Sequence, residues 1–250
     1  MMRKIALVLL IILLAGAITV VVYYGSGFRR LMGEAGVHAG PEGRATAIEE
    51  LVRFFPFSRE NCLKEWEEKI LKKRVTYTIE QDTPQLSFVK ARSVDSASAM
   101  FYKIDLNIRK DPVISWKWKV REFPRKSLPE SIDGKREEDF AARVYVIFPA
   151  SFFTNSKAIE YIWAEELPAG TQGTSGYTNN LKVMVLRSGP DDSEWRTEER
   201  DIRQDYIALY GAEPGLNVGA ISFMTDADST GTSASALYDD IKIGYKRRSE

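Results

Sequence analysis

From Val75 to Tyr245 the chain is a succession of short segments in which apolar and polar residues alternate, most of them closed by a turn-forming residue. A period of two sends successive side chains to opposite faces of an extended strand and does not make a single apolar stripe on a helix. The period runs through Val75–Ile79, Leu86–Ala91, Ala99–Leu106, Val113–Val120, Phe140–Phe148, Leu181–Leu186, Val218–Met224 and Ala236–Tyr245. Pro84, Asp111-Pro112, Pro149, Gly189-Pro190 and Pro214-Gly215 punctuate the series. Many short strands separated by such signals predict a mostly-β fold, a jelly-roll or β-sandwich with one or two short helices.

Helical spacing is rarer. Asp201 is a capping residue ahead of Ile202, Tyr206, Leu209 and Tyr210, which share one helical face, and Gly211 can end the helix. A second helix is expected over Ser156–Glu166, because Ile159, Ile162 and Trp163 fall together at helical spacing. Arg44–Phe55 reads as a short helix or as loosely packed tether. Trp66–Ile70 fits one face of either a helix or a strand. Trp195–Arg200 alternates charge behind an anchoring Trp, as the edge strand of a sheet does to discourage pairing with other chains.

Ahead of the alternating region, residues Ile5 to Tyr24 hold no charge over twenty positions. At helical rise they span roughly 30 Å, one hydrocarbon core. A transmembrane signal anchor is the first expectation for residues 1–24. The alternative is a cleaved signal peptide with Ala15-Gly16-Ala17 as its small-residue site. Arg3 and Lys4 stand against Arg29 and Arg30, a small bias toward an inside N-terminus, which puts the C-terminal domain in the periplasm of a bacterial cell. A glycine-rich tether is expected over residues 25–53, then a β-sandwich domain over 54–246 and a short tail over 247–250.

Composition narrows the chemistry. One Cys excludes an internal disulfide, and one Cys with one His cannot build a zinc cage. Since that single His38 falls in the tether, the domain holds no imidazole for a Ser-His-Asp or Cys-His device. Thirty-five basic against 35 acidic residues give no electrostatic case for nucleic acid. No P-loop, G-x-S-x-G or G-x-G-x-x-G occurs. No catalytic residue is assigned. Paired carboxylates drawn from Glu137, Glu138, Asp139, Glu165 and Asp226 are the surviving enzymatic option.

Two constellations remain. Trp116 and Trp118, two apart, share one strand face, and so do Arg143 and Tyr145, which alternate with Ala142, Val144 and Val146 and therefore point away from the aliphatic side. Aromatic rings that stack on sugar C–H faces, joined to Arg and Asp that take paired hydrogen bonds, suit a glycan or other polar ligand. The ligand set is then Trp116, Trp118, Arg143, Tyr145 and Asp226. The competing reading places both Trp rings in the core. In the turn after Val218–Met224, Asp226, Asp228 and Thr230 put oxygens at alternate positions ahead of Gly231, the donor type calcium takes. Asp239 and Asp240 are candidates for extra charge there. The competing reading is a polar turn in which Asp bonds its own backbone.

The motif order SASAMFYKIDL (96–106), ISWKWKV (114–120), EDFAARVYVIF (138–148), IEYIWAEELPAGT (159–171), VMVLRSG (183–189), WRTEERDI (195–202), MTDADSTG (224–231) and ALYDDI (236–241) resembles an uncharacterised family of bacterial envelope proteins classed only as a domain of unknown function. The resemblance implies a periplasmic or secreted setting and a sandwich similar to the galactose-binding-like jelly rolls. It also favours strand for Trp66–Ile70. It brings no activity and no binding residues. The expectation that combines these readings is a membrane-anchored envelope binding module for a glycan or other polar ligand. The alternatives are a carboxylate-based hydrolase or lyase acting on carbohydrate, and a structural protein that contacts another envelope component.

Overall fold

The computed structural model describes residues 48–57, 62–83, 86–133, 137–190 and 194–246. The expected membrane segment, most of the expected tether and the tail 247–250 lie outside the described residues. Among the described residues no helix is long and apolar enough to cross a membrane.

Thirteen strands among these residues form two sheets. The first holds β1 (Glu50–Phe55), β3 (Thr76–Thr83), β4 (Leu86–Val94), β6 (Pro112–Glu122), β11 (Arg196–Asp201) and β13 (Ser233–Tyr245), in the order β11-β6-β13-β4-β3 with β1 beside the end of β13. The second is β2 (Glu67–Ile70), β5 (Ala97–Leu106), β7 (Ala142–Phe148), β8 (Lys157–Ala164), β9 (Gln172–Thr174), β10 (Leu181–Ser188) and β12 (Val218–Asp226), in the order β2-β5-β12-β7-β8-β10-β9. Every pairing is antiparallel except β8 with β10. All eight alternating segments found in the sequence are strands, and Trp195–Arg200 supplies the edge strand β11 as its charges predict.

Alternation sorts the side chains into two buried layers. Trp116, Trp118, Val144, Val146, Tyr161, Trp163, Ile221, Phe223 and Tyr238 belong to the core between the sheets. Phe101, Tyr145, Ile147, Ile162, Val183 and Met224, from the same or neighbouring strands of the second sheet, pack in a separate layer with Ile132 and Phe140. That layer lies on the opposite face of the seven-stranded sheet, under the connections that precede β7 and follow β8. Because both faces of this sheet are covered, its central strands are apolar almost throughout.

This double burial explains one error of the sequence reading. Ser156–Glu166 is not a helix: Lys157–Ala164 is strand β8. Ile159, Tyr161 and Trp163 enter one layer and Ala158, Ile162 and Ala164 the other. An apolar run buried on both sides carries no period that separates strand from helix. The helix expected after Asp201 is present as α1 (Ile202–Tyr210), with the Asp201 carboxylate accepting from Gln204 N–H at 2.9 Å and Gly211 closing it at φ 69°. Trp66–Ile70 ends in strand, β2, after a 3-10 turn. No helix forms in the described part of Arg44–Phe55: β1 begins at Glu50, ahead of position 54, and pairs with Ile241–Tyr245. Its register needs Gly244, where a Cβ would strike the Glu50 carbonyl and Ile48.

Candidate functional site

The Trp pair does not form an exposed platform. Trp116 and Trp118 are each 0% exposed and lie in the core between the sheets. Their rings meet edge-to-face at 5.3 Å, and each also contacts an aromatic of β8, Tyr161 or Trp163. Trp118 Nε1 donates to Glu198 Oε1 at 3.1 Å, which satisfies its polar atom inside the fold. The residue types that stack on sugars also fill cores, and here the partners across the sandwich decide between the two.

Arg143 and Tyr145 do point away from that core, as the alternation predicts, and Asp226 joins them from β12. The Arg143 guanidinium is 1% exposed. Its Nε lies 2.9 Å from Asp226 Oδ1, and its Nη1 lies 3.0 Å from Glu160 Oε1 and donates to the Tyr145 hydroxyl at 3.1 Å. Nη2 donates to the backbone carbonyl of Glu138. The Tyr145 hydroxyl in turn donates to Glu160 Oε1 at 3.0 Å. Register brings these groups together, because β7 lies between β8 and β12, with Tyr145 opposite Glu160 and Arg143 opposite Met224.

Around this centre the carboxylates outnumber the bases. Asp226 Oδ1 accepts from Phe140 N–H at 3.0 Å. Asp139 accepts from the backbone N–H groups of Ser229 (3.1 Å) and Thr230 (2.6 Å), so it ties down the turn after β12. One carboxylate oxygen each from Asp139, Asp226 and Asp228 lie within 4.8 Å of one another. Glu138 Oε1 accepts from the Ser175 hydroxyl at 3.3 Å, while Glu138 Oε2 and Glu160 Oε2 are buried without a hydrogen-bond partner.

The electrostatics follow from burial. Desolvation pushes the Glu138 carboxyl up to about 9, against the pull of Arg143 and with help from Glu160 and Asp226. Burial also raises Glu160 and Asp226, again opposed by Arg143. Asp228 is raised by burial and by Asp139. For Arg143 burial works against the charge, but Asp226, Tyr145, Glu160 and Glu138 outweigh it and hold the guanidinium ionised. One buried cation therefore faces a group of acids that it cannot neutralise fully.

The connections over the site are fastened to each other. Lys126 pairs with Glu130 and stands 4.1 Å from the centroid of the Phe140 ring. The Glu130 carboxylate accepts from Glu166 N–H (2.8 Å) and Leu167 N–H (3.0 Å). Gly173 of β9 sits against Ile132 so closely that a Cβ there would displace the Ile side chain.

Of the residues chosen from sequence, the fold brings Arg143, Tyr145 and Asp226 into one network and places Asp228 beside it. Thr230 adjoins the same turn: its N–H donates to Asp139 Oδ2 and its hydroxyl bonds the Ala227 carbonyl at 3.3 Å. Asp239 and Asp240 belong to β13 in the other sheet, and Asp240 pairs with Lys117 at 2.7 Å. Among the carboxylate candidates, Glu138 and Asp139 are in the site. Glu137 instead holds Ser127 and Leu128 N–H, and Glu165 is exposed. Glu160, Ser175 and Tyr177 were missed. A lone acid inside the apolar run Ala158–Ala164 is the signal that marks Glu160, since a buried charge needs partners.

No curated protein sequence matches the chain. Solved structures similar to it include a xylan-binding domain from Paenibacillus barcinonensis (12% identity, 82% of this chain and 100% of that one, TM-score 0.39). They also include endoglucanase cel12A from Rhodothermus marinus (11% identity, 74% and 97%, TM-score 0.41). The glycoside hydrolase domain of Endo-D from Streptococcus pneumoniae R6 is another (10% identity, 73% of this chain, TM-score 0.36), and the chain spans 22% of the length of that one. Likenesses this distant carry no argument about what this chain binds. A family model described as a protein of unknown function, DUF3047, matches residues 64–242, and the chain belongs to that family.

Proposed function

We propose that this protein is a binding module of the bacterial cell envelope that takes a polyhydroxylated ligand, a glycan, at the polar cluster beneath the connection before β7. The observation that carries the reading is the pair of buried carboxylates Glu138 and Glu160, each with an oxygen lacking a partner, set around the Arg143–Tyr145–Asp226 network. A carboxyl oxygen without a partner in a buried site calls for one, and sugar hydroxyls both donate and accept, so they suit a carboxyl in either protonation state. Buried, hydrogen-bonded acids fix orientation more firmly than an exposed patch does. Residues 5–24 suit an anchor in the inner membrane, with the sandwich on the periplasmic side.

Affinity electrophoresis of the full chain in detergent through gels containing envelope and plant polysaccharides tests the reading. Retardation by at least one polysaccharide, reduced about tenfold in affinity by Glu160→Gln, is expected, since a lost charge-assisted hydrogen bond is worth about 1.5–3 kcal/mol. Migration unaffected by every polysaccharide would overturn it. Release of reducing ends by the wild type but not by Glu160→Gln would replace the binder with a hydrolase.

A further inference from the structure

Of the three aspartates on the turn side of this cluster, Asp139 and Asp228 form no ion pair among the described residues, and Asp226 shares Arg143 with Glu160. Among the described residues Arg143 is the only buried guanidinium in contact with the group, and its ion pairs go to Glu160 and Asp226. Lys72 reaches the backbone carbonyl of Asp228 at 3.0 Å, while its ion pair goes to Asp95. Asp139 spends one lone pair of each oxygen on the turn, which leaves each oxygen the capacity to accept once more. The protein contacts of the Asp226 carboxylate fall on Oδ1, leaving Oδ2.

The second observation comes from outside the aspartate trio. Glu138 is 4% exposed, its Oε2 has no partner, and it neighbours Asp139 in the chain. Burial and the charges of Glu138, Asp228 and Asp139 push the Tyr177 hydroxyl up to about 12.

We propose that Asp139, Asp226 and Asp228 hold a calcium ion, with Glu138 as a further oxygen donor. Calcium takes oxygens at 2.3–2.6 Å, so ligands on opposite sides of one ion stand about 5 Å apart, and a trio within 4.8 Å fits one such sphere. A magnesium sphere spans only about 4.2 Å and demands regular octahedral geometry, so magnesium suits the set less well. Asp228 is half-buried and gives the ion a way in, while Asp139 and Asp226 are buried. The ion also neutralises acids that Arg143 leaves unpaired, and so links the turn after β12 to the segment before β7. The site shares Glu138 with the binding reading above, but its test contains no glycan, so failure of one is distinguishable from failure of the other.

Calcium titration of the full chain in detergent, stripped with chelator and containing no glycan, tests this. Calcium is expected to raise Tm by several degrees and to bind with one-to-one stoichiometry in calorimetry, with magnesium giving a smaller shift. Asp228→Asn, at a side chain that forms no ion pair among the described residues, is expected to lower calcium affinity at least tenfold without lowering the metal-free Tm. Identical Tm in chelator and calcium would overturn the proposal. Full calcium affinity in Asp228→Asn would do the same, because the ion would have to sit elsewhere.

Discussion

Trp118 packs on Trp116 and Trp163 and gives its N–H to Glu198, so all of its chemistry is spent inside the fold. Trp118→Ala is expected to cost about 3–5 kcal/mol in urea unfolding, the usual cost of emptying a buried indole site. Below its own Tm the variant should keep the wild-type affinity for ligand, which gel retardation checks. Arg143 sets the opposite expectation. Arg143→Met strands Glu160 and Asp226 in a buried setting, and removing one side of such a pair costs about 3–5 kcal/mol. The variant should lose ligand binding even where it remains folded, measured by the same two methods. The different fates of Trp116/Trp118 and Arg143/Tyr145 were partly legible in sequence. Alternation gave the direction of each pair relative to its own strand. Which face looked into the core depended on Tyr161 and Trp163 of β8, a strand the helical spacing had hidden.

Strands with one polar face were recoverable from sequence because their period is explicit. β7 and β12 were legible too although both their faces are buried, whereas β8, whose apolar run also fits helical spacing, and β1, joined to the tether, were not. β1 is held at its register by the bare backbone of Gly244. Gly244→Ala should loosen β1, seen as faster amide exchange over residues 50–55 with the rest of the six-stranded sheet still protected. At the middle of β13, Asp239 is 4% exposed and its Oδ1 has no hydrogen-bond partner. Burial and the neighbouring Asp240 push its carboxyl up to about 7, while Lys117 and Lys242 pull it down. Below about pH 4 folded and unfolded chains both carry this proton, and the group contributes nothing to pH dependence. Between about 4 and 7 the unfolded chain ionises first, so stability falls with rising pH by at most about 1.4 kcal/mol per unit. Above that window the penalty is constant. Asp239→Asn should therefore be more stable than wild type at about pH 8 and equal to it at about pH 3.5, by urea unfolding.

For the whole molecule, two sheets enclose one core while the seven-stranded sheet carries a second buried layer on its other face. The second layer is mostly apolar, yet Arg143, Glu160 and Asp226 are planted in it, each from a different strand. Glu138 and Asp139 arrive from the segment before β7. Such a cluster has no adjacency in sequence, which is why only its single-strand pieces were visible there. The proposed ligand meets the protein at this layer and not at the Trp pair. Amide hydrogen exchange of the full chain, with and without a polysaccharide that retards it, distinguishes the two. New protection over residues 137–145, 158–162 and 172–177 is the predicted result. Protection confined to the six-stranded sheet, with those three segments unchanged, would contradict it.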